Sequence, residues 1–248
     1  GWTQGPVHAQ AGADKKDSTN NTVNLRNGKV LEYTLGVSTD VNGGYTDIDG
    51  GKATHNTVNI SGKSEVQGRI FGGHVAHANA TGNAENNTIN FTGGKIRDVY
   101  GGYVEGTGTG KAIHNTVNIG DGTNALTKGY LLVPNDNSYG IIHGGNKDDD
   151  ITGNTLNVYT NVTARNIKNF ESVNFYLNAS RKPGDPLLNL LGAYKLSDTT
   201  IDLATTGIHG DKPDIDEEIV LVRNEYGIHL NNYTDTIYKG LAATKKHE

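Results

Sequence analysis

Five copies of one pentapeptide constrain this chain more than any other feature. Asn21-Thr22-Val23-Asn24-Leu25, Asn56-Thr57-Val58-Asn59-Ile60, Asn87-Thr88-Ile89-Asn90-Phe91, Asn115-Thr116-Val117-Asn118-Ile119 and Asn154-Thr155-Leu156-Asn157-Val158 all read Asn-Thr-aliphatic-Asn-apolar. Successive copies start 35, 31, 28 and 39 residues apart, the signature of a repeat architecture. Each copy alternates with the strand period of two. Val58 and Ile60 therefore share one face, with Ile89 and Val117 equivalent to Val58, while Thr57 and Asn59 share the other. Asn56, Asn87 and Asn115 have the apolar parity but precede the strand. That places them at a turn, where a stacked column of amides would satisfy turn backbone groups.

A second landmark lies between the copies: Gly43-Gly44, Gly72-Gly73, Gly101-Gly102 and Gly144-Gly145. Around it, Arg69-Ile70-Phe71-Gly72-Gly73-His74 and Asp98-Val99-Tyr100-Gly101-Gly102-Tyr103 predict a second short strand with a glycine turn. From each glycine pair to the next Asn-Thr the distances are 13, 15, 14 and 10 residues. From the last apolar residue of a copy to the next glycine pair they are 18, 12, 10 and 25. One leg of the repeat is nearly fixed and the other grows insertions, which predicts loops on one side. The longest insertion carries Tyr130-Leu131-Leu132-Val133-Pro134.

These features predict an all-β chain, a parallel β-solenoid with irregular coils of about 28–39 residues. One strand with two inward side chains gains about 3–6 kcal/mol from burial. Ordering a whole coil costs more, at about 1–2 kcal/mol for each residue's backbone. An isolated repeat should not fold; stacking must supply the difference. The divisions expected are an N-terminal segment 1–19, regular coils over 20–160, divergent coils or a terminal region over 161–240, and a tail 241–248. In the divergent part, Val173-Asn174-Phe175 and Ile201-Asp202-Leu203 echo the motif 28 residues apart.

Composition agrees. The 34 Gly and 29 Asn supply about a quarter of the 248 residues, and both types tolerate left-handed backbone at turns. Disorder is the competing reading, but the apolar residues fall in regular clusters and the net charge is only −5. With no cysteine there are no disulfides and no thiolate metal sites. No window approaches the roughly 18 apolar residues of a membrane span. Gly1 to Lys16 shows no signal-peptide core, although Ala9-Gln10-Ala11 would suit a cleavage site, so a mature or excised piece is expected. A pI near 6.0 without a basic cluster argues against a nucleic-acid partner.

The repeated Asn-Thr-Val-Asn-Ile strands, the Val-Tyr-Gly-Gly-Tyr segment and the run Asn166 to Leu177 resemble passenger regions of Gram-negative autotransporters, over roughly residues 20–235. The resemblance implies a right-handed parallel β-helix exported through a C-terminal β-barrel that these residues lack. It also implies a place on the cell surface or in the medium, and roles in adhesion, self-association and biofilm formation. The partner would be a host or bacterial surface protein or glycan, or another copy of the chain. Membrane attachment would come only through the barrel.

Little in the sequence points to catalysis or to a cofactor. His55 and His114 occupy one repeat position, directly before Asn-Thr, so repeat structure explains them. His74 and His143 flank the glycine pairs in places that look equivalent. Gly144 to Ile151 half-matches a calcium-binding nonapeptide, with Lys147 in place of the third glycine. The acidic run Asp211 to Glu218 is an alternative calcium candidate and, more simply, a solvated loop. Glycoside hydrolysis needs two carboxylates about 5–10 Å apart on one face, and no convincing pair is visible. A non-catalytic adhesin segment is therefore the leading expectation, with Tyr45, Tyr103, Tyr130, Leu131 and Leu132 as candidate anchors. A structural spacer or filament subunit is the second, and a polysaccharide-active enzyme the third.

Overall fold

A computed structural model describes residues 2–3, 7–10, 16–31, 39–121, 140–177, 184–191, 200–202, 207–210, 219–224, 229–231, 236–239 and 242–245. Among these residues every regular element is a β-strand, and the strands stack in long parallel sheets. The path of one coil shows how. From Val41–Thr46 the chain runs through Ala53–Thr54, Thr57–Ser61 and Glu65–Val66, each in a different sheet. It then returns to the first sheet at Ile70–Val75, which pairs in parallel with Val41–Thr46. The sheets do not close on themselves, and the arrangement is compatible with a parallel β-solenoid.

The repeated pentapeptide builds a seven-stranded Asn-Thr sheet, from Thr22–Arg26 to Gly207–Gly210. Its register is strict: Thr57, Val58, Asn59 and Ile60 lie on Thr88, Ile89, Asn90 and Phe91, which lie on Thr116, Val117, Asn118 and Ile119. Val58, Ile60, Ile89, Phe91, Val117 and Ile119 are all fully buried in one core cluster. On the outer side the Asn amides form a continuous chain. Each of Asn59, Asn90, Asn118, Asn157 and Asn174 donates Nδ2 to the Oδ1 of the Asn one coil earlier, at 2.7–2.9 Å.

A second amide column runs inside, one residue before the strands. Asn56 donates both its backbone N–H and Nδ2 to Asn87 Oδ1 at 3.0 Å, and its other Nδ2 hydrogen goes to Ser18 O. Asn87 treats Asn115 and Ala53 O in the same way, and Asn115 treats Asn154 and Ala84 O. Asn56, Asn87, Asn115 and Asn154 are all fully buried. A buried primary amide is tolerable only when both hydrogens and the oxygen are used; stacking supplies the partners of Asn56, Asn87 and Asn115, and Asn154 adds the local carbonyl of Asp150. The chain reaches this column through a left-handed corner, with φ of 55–57° at Asn20, His55, Asn86 and His114.

Three expectations are corrected. The glycine pairs are not in turns: Gly43-Gly44, Gly72-Gly73 and Gly101-Gly102 lie inside Val41–Thr46, Ile70–Val75 and Val99–Val104. Gly144-Gly145 alone follows its strand, Ile141–His143. The coils are also not confined to 28–39 residues, because Ser172–Leu177 stacks on Thr155–Val158 only 17 residues after it. Finally, Val173-Asn174-Phe175 does continue the Asn-Thr sheet, but Ile201 does not. Ile201 pairs with Leu230 in a two-stranded sheet, and Ile208 takes the place beneath Phe175. The last described strand, Ala242–Lys245, lies antiparallel between Val220–Asn224 and Thr236–Lys239.

Candidate functional site

The glycine-pair strands form a six-stranded sheet whose outer face, among the described residues, gathers tyrosines, histidines and paired charges. Its order runs Val7–Gln10, Val41–Thr46, Ile70–Val75, Val99–Val104, Ile141–His143 and Asn166–Lys168. Two inner contacts explain the glycines. A Cβ on Gly73 or Gly102 would stand 2.4 or 2.6 Å from the Nδ2 of Asn87 or Asn115, inside the buried amide column. A Cβ on Gly72 would stand 2.3 Å from Gly101 O of the next coil, and one on Gly101 2.8 Å from Gly144 O and from Asn115 Cβ. The pairing passes over Gly72 and Gly101: Phe71 aligns with Tyr100, and the next aligned pair is Gly73 with Gly102. Both strands skip the equivalent glycine, so the register is kept while side-chain parity shifts. Phe71 and His74, three residues apart, consequently lie on one face with ring centroids 4.6 Å apart.

The shift sets two parallel rows on the outer face. The first runs Asn42, Phe71, Tyr100, His143 and Lys168, and the second Tyr45, His74 and Tyr103. Tyr45 and Tyr103, predicted as anchors, are thus neighbours in one row with His74 between them, each edge-on to it at 5.3 Å. In the first row Phe71 stacks on Tyr100 at 5.3 Å, and Tyr100 on His143 at 4.2 Å and 10°. His74 and His143 are not equivalent: His74 aligns with Tyr103 and His143 with Tyr100, because one follows the glycine pair and the other precedes it. Arg69 crosses the face, its guanidinium 5.0 Å from the Phe71 ring centroid, and Asp40 grips it at 2.8 Å. Phe71 is fully buried beneath this cover, whereas Tyr45, Tyr100 and Tyr103 are half-buried.

Electrostatics at the face follow from crowding. His74 Nδ1 lies 3.0 Å from Asn42 Oδ1, and Nε2 lies 3.1 Å from Glu105 Oε1. Burial pulls His74 below the usual imidazole range, and Glu105 opposes that only in part. Burial, with Asp98 next, pushes the Tyr100 hydroxyl up to about 12. Burial, then Asp47 and Glu105, raises Tyr45. His143 falls to about 3 through burial and, second, the Lys168 charge, and its Nδ1 has no partner among the described residues.

No family model, no curated protein and no solved structure matches the chain.

The remaining expected site residues fall as follows. Asn56, Asn87, Asn115, Val58, Ile60, Ile89 and Val117 form the interior, and Gly72, Gly73, Gly101 and Gly102 line the aromatic sheet. Tyr130, Leu131 and Leu132, and the acidic run 211–218, lie outside the described residues. Around the half-matched nonapeptide, Lys147 Nζ sits 3.0 Å from both Gly108 O and Gly110 O, and Asn169 Nδ2 takes Gly145 O and Lys147 O. The carbonyls there are engaged by an ammonium and an amide. Among the described residues no three His, Asp or Glu gather to hold a metal. Sequence reading missed Phe71, His74, Tyr100, Arg69 and Asp40 as one group. The available signal was a glycine pair recurring inside strand-like sequence, which marks close approach by a neighbouring chain segment.

Proposed function

We propose that this chain is a segment of an extracellular surface adhesin, of the autotransporter-passenger kind, that binds rather than catalyses. The observation that carries the proposal is the outer face of the glycine-pair sheet. There Tyr45, His74, Tyr103 and Tyr100 form a rigid strip edged by Arg69, Asp40 and Glu105. Aromatic and arginine side chains held by neighbours bind at low entropic cost. The ring planes in the first row are stacked on each other, so that row presents edges and hydroxyls rather than open ring faces. That favours a protein surface over a sugar ring as its partner. The two longest insertions of the variable leg also precede strands of this sheet in the sequence, Val41–Thr46 and Ile141–His143.

The experiment is adhesion of beads coated with the protein to host cells. Tyr45→Ala with Tyr103→Ala should cut adhesion about tenfold while the far-ultraviolet spectrum stays unchanged. Full adhesion by that variant would exclude the strip, and alanine substitution of Tyr130 to Val133 tests the insertion separately. The second reading, a spacer or filament subunit, draws support from the two amide columns that stiffen the stack. Light scattering over a concentration series separates the two: a receptor binder stays monomeric and a filament subunit does not.

A further inference from the structure

The outer face of the Asn-Thr sheet has a composition that the fold alone does not demand. Over six successive strands, from Thr22 and Asn24 to Ser172 and Asn174, every outward position in those two rows is Thr, Ser or Asn. No charge interrupts them. Charge is not incompatible with this kind of stack. In the adjoining three-stranded sheet Lys29 lies on Glu65 with an ion pair at 3.1 Å, and Glu65 lies on Lys95. Surfaces ordinarily mix charges for solubility, yet these two rows exclude them, and Arg26, in the next outward row of the first strand, stands beside them.

We infer that the outer face of the Asn-Thr sheet is a docking surface for an uncharged polysaccharide chain. Along the column each inner Asn (Asn59, Asn90, Asn118 and Asn157) spends one N–H and one oxygen lone pair on its neighbours. An amide has two hydrogens and two lone pairs, so one donor and one acceptor per coil remain for a ligand. A Thr or Ser hydroxyl stands two residues before each Asn, able to donate or accept. These groups repeat about every 4.7–4.9 Å across the strands and about 6.6 Å along them. A chain of sugar hydroxyls matches such an array of paired donors and acceptors. A polyanion would find no cation in the two rows, and a polycation no carboxylate. At the C-terminal end the next outward row becomes aromatic. There Tyr159 stacks on Tyr176 at 4.1 Å and Tyr176 on His209 at 4.8 Å, so that row presents ring edges beside the amide and hydroxyl rows. This surface is separate from the Tyr45–Tyr103 strip and does not rest on it.

The test is retention of the full chain on cellulose and on chitin beads, with calcium alginate beads as the anionic comparison, at low and at high salt. Retention on at least one neutral matrix, little changed by salt, is the expected result. Thr88→Lys with Thr116→Lys, two half-buried outward positions at the centre of the face, should weaken it about tenfold. Lys29→Gln with Glu65→Gln on the adjoining sheet should leave it intact, and urea midpoints check that each variant is folded. No retention on either neutral matrix, retention on alginate alone, or full retention of the folded double-lysine variant would each overturn the inference.

Discussion

The two asparagines of each repeat do opposite jobs, and the difference is measurable. Asn87 is fully buried: its Oδ1 serves the backbone N–H and Nδ2 of Asn56, and its Nδ2 serves Asn115 Oδ1 and Ala53 O. Asn87→Ala strands several of these groups without water, at about 1–3 kcal/mol each. A loss of about 3 kcal/mol or more should appear as a lowered urea midpoint. Asn90, one turn of the alternation later, faces outward, where water replaces its neighbour; Asn90→Ala should cost under about 1 kcal/mol. The corner before the buried column makes its own demand. His55 has φ of 57°, a left-handed conformation that Asn and Gly accept and β-branched residues resist. His55→Val should therefore destabilise by about 1–2 kcal/mol, while His55→Asn should be nearly neutral by the same measurement. His143 titrates in a direction fixed by its burial. Its folded value near 3 lies below the ordinary 6.5, so the unfolded chain takes up the proton first. The stability tied to its neutral form is whole above about 6.5 and is lost as pH falls toward about 3. His143→Phe keeps a ring against Tyr100 and cannot titrate. Compared with the wild type, its urea midpoint should improve steadily from pH 7 to pH 4.

At the scale of the strand, the repeat told most of what the Asn-Thr sheet would be and little of the sheet beside it. Val58, Asn59 and Ile60 obey simple alternation, so their faces follow from residue order alone. Ile70 to Val75 does not alternate: a reading by period two sends Phe71 and His74 to opposite faces, and the shift at Gly72 puts them together. Their grouping depends on the neighbouring coil, whose carbonyl and amide leave no room for a Cβ, and no local pattern reports that distance. Tyr45 and Tyr103 were legible as aromatic candidates, but their shared row with His74 was not. The short coil between Thr155 and Ser172 was hidden for a similar reason, since Ser172 replaces the Asn-Thr opening while Val173, Asn174 and Phe175 keep the register. Gly73→Ala tests how firmly the two sheets are locked. The added methyl meets Asn87 Nδ2 at 2.4 Å and Ala53 O at 2.7 Å, and neither can retreat without breaking the amide column. Overpacking of this kind typically costs about 1–3 kcal/mol. The Ala variant should lose that much in chemical unfolding, whereas alanine at Gly184, where nothing lies within 4 Å, meets no contact and pays only for its left-handed φ of 78°.

Across the whole molecule, stability is shared between neighbours, because each coil touches mainly the one before and the one after. The register makes this literal: Asn56, Val58 and Ile60 meet Asn87, Ile89 and Phe91 through the same bonds by which those meet Asn115, Val117 and Ile119. Deleting residues 87–114 removes one complete coil and joins the left-handed corner at Asn86 directly to Asn115. Asn56 then donates to Asn115 Oδ1, Asn59 meets Asn118, and Phe71 faces His143 instead of Tyr100. Every backbone ladder finds an equivalent strand, so the shortened chain should keep a β-type far-ultraviolet spectrum and a single cooperative urea transition at a lower midpoint. Deleting residues 87–100 removes the same Asn-Thr strand but cuts the coil part-way, so each later strand arrives at the wrong sheet. That variant should lose the cooperative transition although it has lost fewer residues. If the two deletions unfolded alike, coil-by-coil stacking would not be what holds the molecule together, since only phase, and not length, favours the larger cut.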